Sequence, residues 1–185
     1  MPVFGVLFYF WMTENYFSMA QKSLLVIQVF IILVLIPIAL FYLLRTLGKA
    51  DSMMLSEVSQ RKIPLLAQAT LIVFLISQSI RVDIVPELFF FFTAGFVSTV
   101  VAFLLSLAKI KASLHMMGIG TLTFFVIGLS LHNHQNALLL IAVLFFLNGL
   151  VATSRLQMNA HSGRELVIGF FAAMLPQMAL WYFWL

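Results

Sequence analysis

A histidine, a glutamate and an arginine lie close together near the end of a very apolar chain. Arg155, His161 and Glu165 all fall within the stretch Ser154 to Gly169. His161 and Glu165 are four residues apart, so on a helix they share one face and can form a hydrogen bond. A histidine held by a carboxylate can act as a nucleophile, and a neighbouring arginine can bind an oxyanion through two donors. This stretch therefore has the outline of a phosphate-handling site.

A second group of polar residues lies earlier, just before another apolar run. Lys111 and His115 are also four residues apart, with Ser113 between them. A lysine beside the start of a helix favours an anion, because the unpaired N–H groups there already attract one. The histidine one turn later can give a proton to a leaving oxygen. Taken alone, the pair is better explained by a lysine reaching the interface and a histidine hydrogen-bonded between helices.

The composition places both groups in a membrane protein. The 185 residues are 63% hydrophobic and 9% charged, with a mean hydropathy of +1.12, whereas a soluble domain has about 25% charged residues. The small net charge of +4 argues against a nucleic-acid partner. The absence of cysteine excludes disulfides and thiolate metal sites. We expect one membrane domain, residues 1–185, embedded in membrane lipid.

The apolar runs predict an all-α membrane bundle, because about 20 apolar residues cross the hydrocarbon core as a helix. Six runs qualify, and a shorter apolar segment at 2–12 predicts an interfacial element before them. Pro37 should kink the first span. The predicted spans are 23–44, 63–80, 87–107, 116–131, 137–153 and 165–185.

Six spans place three polar connections on the same face of the membrane, where they can meet. These connections are residues 45–62, 109–115 and 152–164. On the opposite face, His132 and His134 are read as interfacial polar residues rather than metal ligands. Asn148 is expected to hydrogen-bond between helices.

Taken together, the two polar stretches resemble the type-2 phosphatidic acid phosphatase superfamily. Its third motif, Ser-Arg-x5-His-x3-Asp, matches Ser154, Arg155, His161 and Glu165, with Glu in place of Asp. Its second motif, Pro-Ser-Gly-His, corresponds to the segment from Ala112 to His115. The first motif, Lys-x6-Arg-Pro, has no clean copy. The basic residues available to replace it are Lys109, Lys111, Arg61 and Lys62.

The resemblance implies a role for each matched residue. His161 would attack phosphorus, Glu165 would orient its ring, and His115 would protonate the leaving group. The resemblance implies no metal and no cofactor, because side chains supply the positive charge. The implied phosphate ligands are Arg155, Lys111, Ser113, Arg61 and Lys62.

The implied activity is hydrolysis of a phosphate or diphosphate monoester of a lipid, through a phosphohistidine intermediate. The implied partner is a phosphorylated lipid, such as phosphatidic acid, phosphatidylglycerol phosphate, an isoprenyl diphosphate or a phosphorylated glycolipid. Two alternatives stay open. In the first alternative, the chain is a catalytically degenerate member of the superfamily that binds or moves lipid. In the second, it is an unrelated small transporter or assembly protein.

The location of the site relative to the membrane has two competing predictions. The resemblance to bacterial members implies the inner (cytoplasmic) membrane with the site facing outward, which we favour. The positive-inside rule places the site in the cytoplasm. The opposite face carries only Lys22 and Arg81, whereas the site face carries Arg45, Lys49, Arg61, Lys62, Lys109, Lys111, Arg155 and Arg164.

Overall fold

The computed structural model describes residues 1–13, 17–48 and 58–185, and this part of the chain is helical without strands. A single 3-10 turn, Val58–Arg61, precedes the third helix. Lys49, Asp51 and Glu57 of the first polar connection lie outside the described residues. The helices are Pro2–Met12 (α1), Met19–Thr46 (α2), Lys62–Ser79 (α3), Pro86–Leu107 (α4), Leu114–His132 (α5), Leu138–Gln157 (α6) and Gly163–Trp181 (α7).

Five helices, α2 to α6, are long and apolar enough to cross a membrane. The predicted class, an all-α membrane protein, is therefore confirmed. The sixth predicted span is helix α7, which is not among those five. Its first turn carries Arg164 and Glu165, and Gln177 lies farther along, so it is less apolar than the others.

Local chemistry explains where several helices begin. Ser18 caps α2 in a reciprocal pair with Gln21, and the hydroxyls of Ser113 and Ser162 cap α5 and α7. Such caps satisfy amide groups that have no partner inside the helix. Pro86 opens α4, where its missing amide hydrogen costs nothing. Two of these caps, Ser113 and Ser162, lie next to the residues with predicted chemistry.

The backbone of the first span departs from regular α-helix just before Pro37. The residues before it, Ile31–Leu35, form a π-helical segment, and Ile36 donates to the carbonyl of Ile31. Proline has no amide donor, and its ring pushes away the carbonyl four residues earlier. The wider π turn accommodates both effects. The structure thus shows a π-helical segment before Pro37, and the helix continues through it from Met19 to Thr46. The predicted kink stays a prediction.

Helix α5 is the centre of the bundle, since 61% of the residues in its most apolar stretch are buried. It packs against α7, α6, α1 and α4. Helix α1 lies along it, from Met1 beside Gly118 to the carbonyl of Met12, which accepts from Asn133. Val6, Tyr9 and Met12 are buried. The N-terminal segment, expected to lie at the interface, is thus packed against the spans.

Candidate active site

The three polar connections meet at one end of the bundle. Arg61, just before α3, donates from Nη1 to the carbonyl of Ala112 at 2.8 Å. Lys111, just before α5, donates from Nζ to the carbonyl of Ala160 at 2.8 Å. The amide of Ser113 donates to the carbonyl of Glu165 in α7 at 3.1 Å. Residues far apart in sequence are thereby joined at a single location.

The turn between α6 and α7 places His161 between Arg155 and Glu165. Asn159 takes a left-handed conformation with φ 50°, which asparagine tolerates better than most residues. The amide of Ala160 then reaches back to the carbonyl of Arg155 at 3.0 Å, a Schellman-type helix ending. Helix α7 starts at its Ser162 cap directly after His161. This tight turn keeps the arginine, the histidine and the glutamate together.

His161 and Glu165 form the predicted pair. Their Nδ1 and Oε2 atoms are 2.7 Å apart. Glu165 therefore accepts the Nδ1 proton, and the lone pair of the neutral ring lies on Nε2. The His161 side chain is only 6% exposed. Burial lowers the pKa of His161 below its usual 6.5, and the charges of Lys111 and Arg61 lower it further, while the hydrogen bond to Glu165 opposes them. The ring is consequently neutral at pH 7.

Lys111 connects the turn to the acid. In addition to its bond to Ala160, its Nζ lies 3.9 Å from Oε2 of Glu165. The lysine side chain is 24% exposed, and an ammonium group has three donors. Lys111 therefore positions Glu165 and the turn while it retains a donor for an anion.

Arg155 and His115 are the members of the cluster that no hydrogen bond restrains among the described residues. The Nε atom of Arg155 is buried without a partner. His115 is exposed and lies within electrostatic range of Arg155, His161 and Arg61. A buried guanidinium donor without an acceptor is costly, and an anionic ligand would supply acceptors for the same group.

Ser113 and Gly169 bring α7 against the start of α5. A Cβ atom on Gly169 would lie 2.5 Å from the carbonyl oxygen of Ser113, so only glycine permits this approach. Ser113 is completely buried, and its hydroxyl accepts from the amide of Met116 as the cap of α5. The serine is thus a helix cap in this structure, and its predicted contact with phosphate stays a prediction.

The neighbouring basic residues Arg61 and Lys62 have different environments. Arg61 is buried at 4% exposure, and burial lowers the pKa of its guanidinium while the charge of Glu165 opposes that effect. Lys62 is exposed, and among the described residues no hydrogen bond or ion pair joins it to the cluster. Arg164 is exposed as well. Of the predicted pair, Arg61 is the residue that the structure brings to the site.

The opposite end of the bundle contains a polar cluster that the sequence reading missed. Glu87 is buried, lies within electrostatic range of Tyr9, and its Oε1 lies 3.6 Å from Nε2 of His132. His132, expected to be a simple interfacial residue, is therefore paired. The sequence signal that could have indicated this cluster is Glu87 at the start of an apolar run. Ionisable residues in such runs are rare and usually have a polar partner. Among the described residues, no group of three His, Cys, Asp or Glu could hold a metal.

The predicted interhelical role of Asn148 is confirmed. Its Nδ2 donates to the hydroxyl of Thr123 on α5 and to the carbonyl of Leu144, both at 2.8 Å. Asn148 therefore holds α6, which carries Arg155 at its far end, against the central helix.

Comparison of the chain with protein-family models, with curated proteins and with solved structures finds no match.

Proposed function

We propose that the protein is a membrane lipid phosphatase that hydrolyses a phosphate or diphosphate monoester through a phosphohistidine. The observation that carries this proposal is the 2.7 Å contact between His161 Nδ1 and Glu165, which leaves Nε2 free to attack. The pair lies among three cationic side chains, Arg155, Lys111 and Arg61. The resemblance of these residues to the phosphatase motifs supports the same reading.

In the first step, Nε2 of His161 attacks phosphorus and forms an N–P bond. The P–O bond to the leaving group breaks, and His115 donates a proton to the departing oxygen. Glu165 stabilises the positive charge that develops on the ring of His161. Arg155 and the remaining donor of Lys111 neutralise the equatorial oxygens in the transition state.

In the second step, water replaces the nitrogen on phosphorus. His115, now neutral, accepts a proton from the attacking water, and the N–P bond breaks to regenerate neutral His161. Inorganic phosphate leaves the site. Every proton is exchanged between His115 and substrate or water, so the protons balance over the cycle and no oxidant is needed.

The position of the cluster at one end of the apolar helices supports a lipid substrate. We propose that α7 completes a bundle of six spans, with the cluster at one membrane surface facing outward in a bacterial inner membrane. A lipid phosphate could then enter from the headgroup layer while its apolar part stays at the level of the hydrocarbon. Reporter fusions at the C-terminus and in the turn between α4 and α5 test this orientation.

The test of the activity compares two histidine variants. His161→Asn removes the attacking nitrogen, whereas His134→Asn changes an exposed histidine at the opposite end that has a left-handed φ of 51°. Purified protein is assayed for phosphate release from phosphatidic acid, phosphatidylglycerol phosphate and prenyl diphosphates, and the labelled intermediate is trapped on the protein by rapid quenching. We expect His161→Asn to abolish both signals and His134→Asn to keep them.

The rival function is lipid-phosphate binding without hydrolysis. It is favoured by the engagement of Lys111 and Arg61 with backbone carbonyls, which leaves fewer free donors than a dedicated phosphate clamp. A wild type that binds these lipids in a vesicle flotation assay but releases no phosphate would support the rival and refute the enzyme.

A further inference from the structure

A cavity of about 240 Å³ lies inside the bundle, where the start of α1 meets α2, α3, α4 and α5. Most of its wall is apolar. Polar side chains from three helices that are long and apolar enough to cross a membrane complete the wall, and they are Gln68, Ser98, Thr99 and Thr121. The cavity therefore brings hydroxyl groups together at the level of the hydrocarbon.

Ser98 is the residue of this wall whose hydroxyl group is buried without a partner. On the same helix, Thr93, Thr99 and Ser106 each donate to a carbonyl of their own backbone at 2.7 or 2.8 Å. The Oγ atom of Ser98 has no hydrogen-bond partner among the described residues, and the residue is 3% exposed. A buried hydroxyl group without a protein partner is costly, and an ordered water molecule commonly satisfies such a group. Ser98 thus indicates a polar occupant of the cavity.

The size of the cavity indicates which polar occupant it takes. One water molecule takes up about 30 Å³ in the liquid, so a volume of about 240 Å³ has room for on the order of eight of them. The volume is below the roughly 300–1,000 Å³ of pockets for larger ligands. A bound water molecule needs about two to four polar partners. Three hydroxyl residues and one amide residue in the wall offer such partners.

The cavity adjoins the candidate active site through Gln68. This residue also lines a groove of about 380 Å³ between α2 and α3, and His115 lies in the wall of that groove. In the second step of the proposed reaction, water attacks phosphorus opposite the nitrogen of His161, on the side from which the leaving group departed. His115 acts on that side. Water that passes Gln68 therefore arrives beside the group that takes up its proton.

We propose that the cavity binds a group of water molecules at the level of the hydrocarbon, and that this water supplies the second step of the reaction. The supply rests on the proposed phosphatase function, whereas the water site does not. A lipid substrate enters from the headgroup layer, so the leaving lipid alcohol separates the phosphohistidine from bulk water on that side. Water held inside the bundle reaches phosphorus while the alcohol still occupies the entrance.

Thiol reactivity tests the water site without any need for activity. The chain has no cysteine, so Ser98→Cys introduces the only thiol. The matched control is Val97→Cys, the next position on α4, where the valine is 38% exposed. In lipid vesicles, a charged methanethiosulfonate reacts with thiolates, and a thiol among lipid chains does not ionise; we therefore expect Ser98→Cys to react at least about tenfold faster than Val97→Cys. Thr121→Cys, on α5 in the wall of the same cavity, should react as Ser98→Cys does.

Filling the cavity tests the supply of water. Gly95 lines the cavity, and a Cβ atom there meets nothing within 4 Å, so Gly95→Leu places a side chain in this space. The matched control is Gly149→Leu on the exposed side of α6, where a Cβ atom also meets nothing within 4 Å. We expect Gly95→Leu to slow the thiol reaction of Ser98→Cys and to accumulate labelled phosphohistidine, while the rate of its formation stays within about twofold of wild type. Gly149→Leu should match wild type in all three measurements.

The outcomes separate the water site, the supply and the proposed function. Failure of Ser98→Cys and Thr121→Cys to react faster than Val97→Cys overturns the water site and assigns the cavity to an apolar occupant. Reactive thiols together with unchanged breakdown of phosphohistidine in Gly95→Leu, or with equal slowing of its formation and breakdown, overturn the supply. A wild type that releases no phosphate from any lipid phosphate refutes the phosphatase and the supply together, and thiol reactivity alone then decides the water site.

Discussion

Replacement of Gly169 by alanine tests the contact that presses α7 against the start of α5. The added Cβ would lie 2.5 Å from the carbonyl oxygen of Ser113, 3.0 Å from its nitrogen and 3.2 Å from its carbonyl carbon. All three atoms belong to the backbone, so no side chain can rotate away. The helices must separate, and the hydrogen bond between the Ser113 amide and the Glu165 carbonyl must lengthen.

The expected loss of stability follows from two opposing effects. Overpacking of this kind costs about 1–3 kcal/mol, and a rigid backbone obstacle places Gly169→Ala near the upper end. Alanine recovers about 1 kcal/mol through its higher helix propensity. The net loss of about 2 kcal/mol corresponds to a fall in Tm of about 4–8 °C for a chain of this size.

Thermal unfolding in detergent measures this loss, and Gly163→Ala is the matched control. Gly163 is in the first turn of the same helix, and a Cβ there meets nothing within 4 Å. We expect Gly163→Ala to leave Tm unchanged or slightly raised. If Gly169→Ala unfolds at the same temperature as Gly163→Ala, the close approach of α7 to Ser113 is absent and the reasoning is refuted. Since Glu165 moves with α7, Gly169→Ala should also lower kcat.

The pKa of His161 lies below 6.5, and protonation removes its attacking lone pair, so kcat/KM should decline with acid only below that pH. The hydrogen bond and the charge of Glu165 raise this pKa. Glu165→Gln removes that charge and should therefore move the decline to lower pH as well as reduce the rate. A decline centred above pH 6.5 would contradict the assignment. Arg61→Ala leaves its buried carbonyl partner unpaired and should cost about 1–3 kcal/mol, measured by thermal unfolding, with Arg61→Lys losing less. A double-mutant cycle of Asn148→Leu and Thr123→Val should give a coupling of about 0.6 kcal/mol, the average for hydrogen bonds between membrane helices; additivity of the two single changes would exclude the bond.

Local features of the site could be predicted from the sequence. His161 and Glu165 are separated by one helical turn, so their spacing alone indicates a shared face. The helix starts at Ser113 and Ser162 follow from their capping hydroxyls. The convergence of three connections followed from counting apolar runs, although α7 is less apolar than the other helices.

Contacts between distant segments could not be predicted in the same way. Arg61 and Ala112 are 51 residues apart, and their contact depends on how α3 packs near the start of α5. The burial of α1 depends on Gly5, where a Cβ would overlap the ring of Phe91. Hydropathy and residue spacing carry no information about which distant segments come into contact.

The charge at the site supports the proposed phosphate chemistry, although the first motif of the phosphatase superfamily has no clean copy in the sequence. Arg155, Lys111 and Arg61 supply three positive charges, and Glu165 supplies one negative charge, for a net charge of +2 from these four side chains. The proton that His115 carries before the first step of the proposed reaction adds one more positive charge. A phosphate monoester carries about −1.5 to −2 at pH 7. The positive charge of the cluster is therefore opposite to that of the proposed substrate, although Arg61 comes from the segment before α3. The bonds from Arg61 and Lys111 to backbone carbonyls hold two of the cations in place before substrate arrives. Such preorganised charge needs little rearrangement in the transition state, and Arg155, which has no hydrogen-bond partner among the described residues, is left to bind the phosphate directly.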